Sequence, residues 1–215
     1  MLKAAYQKGK RMEQTDSAAL SLSLTLKELE QLRKRYHFAE TEKNKLTALY
    51  ERTAAMLEAK AYWRPLLPDM PGGDEDTAML CAVTLGKALD ALQMDYMRAG
   101  ALSESYMLEC IGSTLLEKAY LRLGELIRQK TGLCISKMTF PGSELPLESL
   151  HELRNYLACG SAHFSVTCSE SCMLYPKKSV IFIGYLSEKE SEGILCRNCA
   201  NTACQMRQKE MGDAG

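Results

Sequence analysis

Residues 105–130, "SYMLECIGSTLLEKAYLRLGELIRQK", constrain this chain more than any other stretch. Leu108, Ile111, Leu115, Ala119, Leu123 and Leu126 recur at steps of three and four, the spacing of one helix face. The run closes on basic residues and Gly132, a helix-ending pattern. At 1.5 Å per residue such a helix is about 40 Å long, enough to cross a whole domain. The chain has 215 residues, which suits one domain, or one domain with a small appendage.

Residues 18–26, "AALSLSLTL", alternate strictly and predict a half-buried strand with Leu20, Leu22, Leu24 and Leu26 on one side. Thr25 is placed to cap a helix over "LKELEQLRKRYHF", 26–38. Its "RKR" run, with Glu28 and Glu30 close by, reads as a solvated helix face rather than a nucleic-acid patch. Residues 42–60 predict a second amphipathic helix, with Leu46, Leu49 and Thr53 among its inward positions. "AYWRPL" predicts a short strand that Pro65 confines to an edge or an end. "LLPDMPGGDEDT", 66–77, is the clearest loop. Its acidic end suits the start of a helix. That helix is predicted from about Thr77 to Met97, apolar on most sides and therefore central.

Behind the long helix the character changes. Strands are predicted over 133–140, 162–168 and 178–187, a turn over 141–146 and a helix over 147–159. The last strand is apolar on both sides and should be covered on both faces. The pattern is α+β, with helices packed on a twisted mixed or antiparallel sheet. Residues 1–190 form that domain and 191–215 a cysteine-rich C-terminal tail.

Charge excludes some functions. Lys and Arg total 27 against 27 Asp and Glu, so no global field draws the chain to nucleic acid or to a membrane surface. No uncharged apolar window approaches eighteen residues, so no membrane-spanning helix is expected. "MLKAAYQKGKRMEQTD" lacks the apolar segment of a secretory signal. Nine cysteines, an odd number, then read as reduced thiols of a cytoplasmic protein rather than a disulfide framework.

Four segments resemble one family. "LCAVTLGKALDALQ" followed by "YMLECIGSTLLEKAY" resembles the helical part of the activation domain of cobalamin-dependent methionine synthase. "TFPGSELPLESLHELRNYL" resembles that family's Ser-Pro-Gly-Tyr turn and the helix behind it. "CSESCMLYPKKSVIFIGYLS" resembles its Leu-Thr-Glu-Ser segment, Met-x-x-Pro, Ser-x-Ser-Val and apolar strand. "CRNCANTAC", with Arg207 behind it, resembles the cysteine-rich tail of short stand-alone members. Order and separation match over residues 77–207.

The resemblance implies an accessory reactivation component. It would bind S-adenosylmethionine and dock on a cobalamin-binding methionine synthase or another corrinoid protein, which supplies the cobalamin. It would assist reductive methylation of cob(II)alamin, with the electron coming from a donor of flavodoxin or ferredoxin type. The hard chemistry belongs to the cofactors, so the chain needs no catalytic residue of its own. By the family pattern, Glu117, Gly142 and Glu170 are candidate S-adenosylmethionine contacts. The family's turn begins Arg-x-x-Pro-Gly-Tyr. Here Met138 stands at the Arg position and Ser143 at the Tyr position, while Lys137 is one residue off and on the opposite side of a regular strand. Lys137 and Ser143 complete the candidate contacts.

Cys196, Cys199 and Cys204 are spaced as thiolate ligands of zinc or an iron–sulfur cluster. A fourth ligand is absent from the tail. Cys172 and Cys168 are the two substitutes, Cys172 preferred. Cys81, Cys110, Cys134 and Cys159 read as small buried hydrophobes, and His151 and His163 as surface residues. An alternative function follows from the tail: a non-enzymatic zinc or iron–sulfur module for electron transfer or docking, with a degenerate ligand pocket. A purely structural adaptor is a third reading.

Overall fold

The computed structural model of the chain describes residues 14–73 and 77–188. Seven strands are described: β1 (Asp16–Ala19), β2 (Lys60–Pro65), β3 (Ala78–Thr84), β4 (Cys134–Thr139), β5 (Thr167–Cys168), β6 (Leu174–Tyr175) and β7 (Ser179–Ser187). The helices are α1 (Leu26–Arg35), α2 (Lys43–Ala55), α3 (Ala88–Arg98), α4 (Leu102–Thr131) and α5 (Ser149–Cys159), with a 3₁₀ turn at Glu40–Glu42 before α2. Five strands make one sheet in the order β1-β2-β3-β7-β4, antiparallel at every pairing. β5 and β6 form a separate small hairpin. The fold is α+β, and its main sheet is antiparallel rather than mixed.

The sheet divides two apolar cores. On one face, Trp63, Cys81, Val83, Ile135 and Phe182 meet α1 to α4. On the other, Tyr62, Leu80, Ile181, Ile183 and Tyr185 meet Leu150, Leu153 and Leu157 of α5. The alternation along β2, β3 and β7 is the period-two geometry of a strand serving both layers. α4 has the expected apolar face, with Leu108, Ile111, Leu115, Ala119 and Leu123 fully buried. It runs 30 residues, about 45 Å. Gly132 ends it in the left-handed conformation, φ 76°.

Three expectations need correction. The predicted helix from Thr77 to Met97 is instead β3 followed by α3. All seven residues of β3 are buried, because it lies mid-sheet beneath both cores. Such a strand is apolar throughout and carries no alternation to distinguish it from a buried helix. The strand expected over 18–26 is confined to Asp16–Ala19. Beyond it Leu20 and Leu24 are buried while Leu26 is 78 % exposed, so the leucines do not share one face. The Leu24 N–H is satisfied by the Tyr50 hydroxyl at 2.7 Å instead of a neighbouring strand. The strand expected over 162–168 is reduced to Thr167–Cys168. Its first part crosses Tyr62, whose hydroxyl donates to the His163 carbonyl at 3.0 Å and whose ring meets Phe164 edge-on.

Other expectations hold. Thr25 caps α1 in a full capping box with Glu28. Pro65 is the last residue of β2, beyond Trp63, where the pairing with β1 stops. β7 is covered on both faces. The domain limit at 190 and the tail 191–215 lie outside the described residues.

Candidate functional site

A cleft of about 410 Å³ opens where β7 begins. Its walls come from five places: Phe140 and Pro141 after β4, Glu109 on α4, Leu150 on α5, Cys172 to Leu174 of the β5–β6 hairpin, and Lys177 to Ile181 leading into β7. The turn at Pro141 and the strand start at Ser179, far apart in sequence, thus share one cavity. Behind it Phe140 packs on Phe182 with ring centroids 5.6 Å apart, and Tyr120 meets Phe182 at 5.5 Å.

Charge enters from one side. Lys178 Nζ contacts Glu109 Oε1 and donates to Ser113 Oγ at 2.9 Å. The other Glu109 oxygen accepts from Gln93 Nε2 at 3.2 Å. The Lys178 side chain is only 12 % exposed, while Glu109 is 44 % exposed, so the cation is held in the wall and the carboxylate faces solvent. Gly112 makes room for it: a Cβ there would lie 3.0 Å from Lys178 Cε and 2.7 Å from Leu89 Cδ2. The Lys178 carbonyl accepts from Leu85 N–H, and the Lys177 N–H donates to Asp90 at 2.7 Å. The two lysines are thereby fixed on the ends of β3 and α3. Ser179 donates to Thr84 Oγ1 at 2.7 Å.

On the opposite rim, Cys172 has φ 60°, a left-handed conformation unusual for a residue with a side chain. Its Sγ lies 3.3 Å from His151 Nε2 in the first turn of α5. The turn is closed by Cys172 N–H to the Ser169 carbonyl and Ser169 N–H to the Met173 carbonyl, both 2.9 Å. Burial raises the Cys168 thiol above its ordinary range, and the nearby Cys172 adds to this.

The candidate ligand contacts fall around the cleft more than in it. Gly142 and Ser143 continue the Pro141 turn, and both are exposed. Gly142 has φ 86°, which a side chain would strain, and its N–H donates to the Leu145 carbonyl. Lys137 pairs with Tyr185 in the sheet, while Met138 pairs with Gly184. Lys137 lies against the Tyr185 ring at 5.4 Å and reaches Glu144 at 3.2 Å, on the α5 face. Met138, partly buried, packs against the core on the other face. The strand does bulge, at Ser136 between Ile135 and Lys137, but upstream of Lys137, so the two neighbours still point opposite ways. Glu144 is held below the usual carboxylate range by Thr139 and then by Lys137. Glu117 lies two turns along α4 from Glu109 and pairs with Arg35 at 3.4 Å. Glu170 is exposed in the β5–β6 turn.

Of the cysteines read as buried, Cys81, Cys110 and Cys134 are; Cys159 is exposed. Burial pushes the Cys110 thiol up to about 11. Among the described residues, no group of three or more His, Cys, Asp or Glu is arranged to hold a metal ion. Cys196, Cys199 and Cys204 lie outside the described residues. Glu109, Lys178 and His151 carry no motif of their own. Only "KK" before an apolar strand hinted at charge beside the cleft.

No protein-family model matches the chain, and no curated protein sequence matches it. Among solved structures, the fold is similar to the crystal structure of the MetH reactivation domain bound to AdoHcy. The TM-score is 0.52 at 12 % identity, over 85 % of this chain and 81 % of that one. At that identity the likeness defines the fold. No helix among the described residues is long and apolar enough to cross a membrane.

Proposed function

We propose that this chain is a reactivation-domain-like accessory component for a cobalamin-binding methionine synthase, or another corrinoid protein, and belongs to that activation-domain family. The observation that carries this reading is the cleft shared by Pro141 and Ser179, on a fold similar to a reactivation domain bound to AdoHcy. The cleft residues suit S-adenosylmethionine. Glu109 offers a carboxylate to an ammonium or sulfonium, Lys177 a cation to a carboxylate, and Phe140 with Pro141 an apolar wall. Its volume is in the range of small-ligand sites.

When bound, S-adenosylmethionine would supply the methyl group to the partner's cobalamin, leaving AdoHcy, and a flavodoxin- or ferredoxin-type donor would supply the one electron needed. This chain binds and orients the ligand at the partner's surface, a positioning role rather than acid–base chemistry. Gly142, Ser143 and Pro141 form the rim on which it docks, with Lys137, Glu117 and Glu170 further out. The site of action is the cytoplasm. Cys196, Cys199 and Cys204, with Cys172, hold zinc or an iron–sulfur cluster.

A second reading is a non-enzymatic metal or docking module with a degenerate pocket. It is favoured by Met138, which is partly buried against the core where the family has its Arg, and by the Arg35 pairing of Glu117.

Calorimetry with S-adenosylmethionine and AdoHcy separates the two. The first reading expects saturable binding, weakened about tenfold or more by Glu109→Gln through loss of a charged hydrogen bond. No heat with either ligand, together with no capture of a cobalamin-binding methionine synthase, removes it. Iron and sulfide in anaerobically purified protein that ignores both ligands supports the second.

A further inference from the structure

The β5–β6 hairpin puts two thiols on one face. Cys168 pairs with Leu174 across the hairpin, and Cys172 stands two residues before Leu174. All three pack against the core on the α5 side of the sheet. Neither thiol is fully covered. On its other side, Cys172 Sγ lies 3.3 Å from Nε2 of His151, which α5 holds next to the buried Leu150. An imidazole at hydrogen-bond distance can take the proton of a thiol and leave the thiolate, the nucleophilic form. Cys172 also keeps a positive φ, 60°, and uncommon conformations of this kind collect at functional sites. Its side chain lines the cleft, so small molecules reach it. Cys168 is the less reactive of the two, because burial first, and then the neighbouring Cys172, raises its thiol.

We infer that Cys172 is a reactive thiol with His151 as its proton acceptor, and that it closes a reversible disulfide with Cys168 on meeting a small-molecule disulfide. The inference rests on the hairpin and α5, not on the S-adenosylmethionine reading. A metal held by Cys172 would mask the thiol, so the reaction belongs to the metal-free chain. In the first step Cys172 passes its proton to His151, and its sulfur attacks one sulfur of the incoming disulfide. That S–S bond breaks, a mixed disulfide forms on Cys172, and the departing thiolate takes the proton from His151. In the second step Cys168 gives its proton to solvent and attacks the Cys172 sulfur. The second small thiolate leaves and is protonated. Two protein thiols lose two electrons, and the small disulfide becomes two thiols. Cys168 prevails over thiols from solution because the hairpin already holds it beside Cys172. The new bond draws Cys172 Sγ off His151 and rebuilds that part of the cleft wall.

Cys159, the exposed thiol at the end of α5, is the internal reference. The full chain is reduced, freed of metal with a chelator, and given limiting iodoacetamide in one arm and oxidised glutathione in the other. Peptide mass mapping follows each cysteine, with cleavage at Phe164 parting Cys159 from the hairpin pair. The expected result is alkylation of Cys172 about tenfold faster than Cys159, or more. Oxidised glutathione should give a Cys168–Cys172 link, seen as the loss of two hydrogens. Cys168→Ser should stop the reaction at glutathione joined to Cys172. His151→Gln should bring Cys172 to within about twofold of Cys159. Far-UV circular dichroism and an unchanged Cys159 rate verify that each variant folds. Equal rates at Cys172 and Cys159 in the parent chain overturn the inference, whatever the variants do. The parent rate kept in both His151→Gln and His151→Ala overturns the part given to His151. A link from Cys172 to Cys196, Cys199 or Cys204 instead, or no trapped adduct on Cys172 in Cys168→Ser, overturns the part given to Cys168.

Discussion

At Glu28, one side chain performs two structural tasks. It accepts from the Thr25 N–H at 2.7 Å, closing the cap of α1, and pairs with Lys118 of α4 at 2.7 Å. The Lys118 contact first, and the Thr25 N–H second, lower its carboxyl from 4.5 to about 2. Its folded value is thus below its unfolded one. The stabilisation is full above about pH 4.5, declines as pH falls toward 2, and is lost below that. Glu28→Gln should cost about 0.5–1 kcal/mol at pH 7, a modest figure because the group is well solvated. The two proteins should converge in stability between pH 4.5 and 2, as followed by urea denaturation across pH. A constant difference over that range would show that Glu28 acts through packing rather than charge. The cap itself is legible in "TLKE", because a hydroxyl and a carboxylate three residues apart have one obvious use at a helix start. The Lys118 contact is not, since it depends on how two helices cross.

Among the elements, β3 is the one the sequence disguises. A run such as "AMLCAVT" has neither a two-residue nor a 3.6-residue signature, because both of its faces are buried. What distinguishes it afterwards is register: Leu80 opposes Ile183 toward α5, and Cys81 opposes Phe182 toward α4. Leu80→Ala should therefore destabilise the protein by about 2–5 kcal/mol, the range for a fully buried leucine. Urea or thermal melts measure it, and a cost under about 1 kcal/mol would contradict a central position for this strand. The long helix was readable for the opposite reason. One apolar stripe over many turns, ended by Gly132, leaves no competing period.

For the whole molecule, the two cores share β2, β3 and β7, so neither layer keeps a sheet if the other unfolds. Equilibrium unfolding should be a single transition. Trp63 fluorescence, reporting the α4 face, and far-UV circular dichroism should give the same urea midpoint. Separate midpoints would mean that the α5 layer melts on its own. The α+β class was open to a sequence reading because it depends on which kinds of element occur and in what order. The cleft was only half open to it. Its Pro141 turn and its β7 strand carry motifs, but Glu109, Lys178 and His151 reach their places through packing between elements 20 to 70 residues apart, which local patterns do not record.

One last consequence follows from the kink at Ser136. β4 is an outer strand, and such borders invite strand-by-strand polymerisation. The extra residue breaks the regular ladder there, its hydroxyl turns back to the Tyr185 carbonyl at 3.0 Å, and the next position carries a lysine. That border is a poor template for stacking further copies edge to edge.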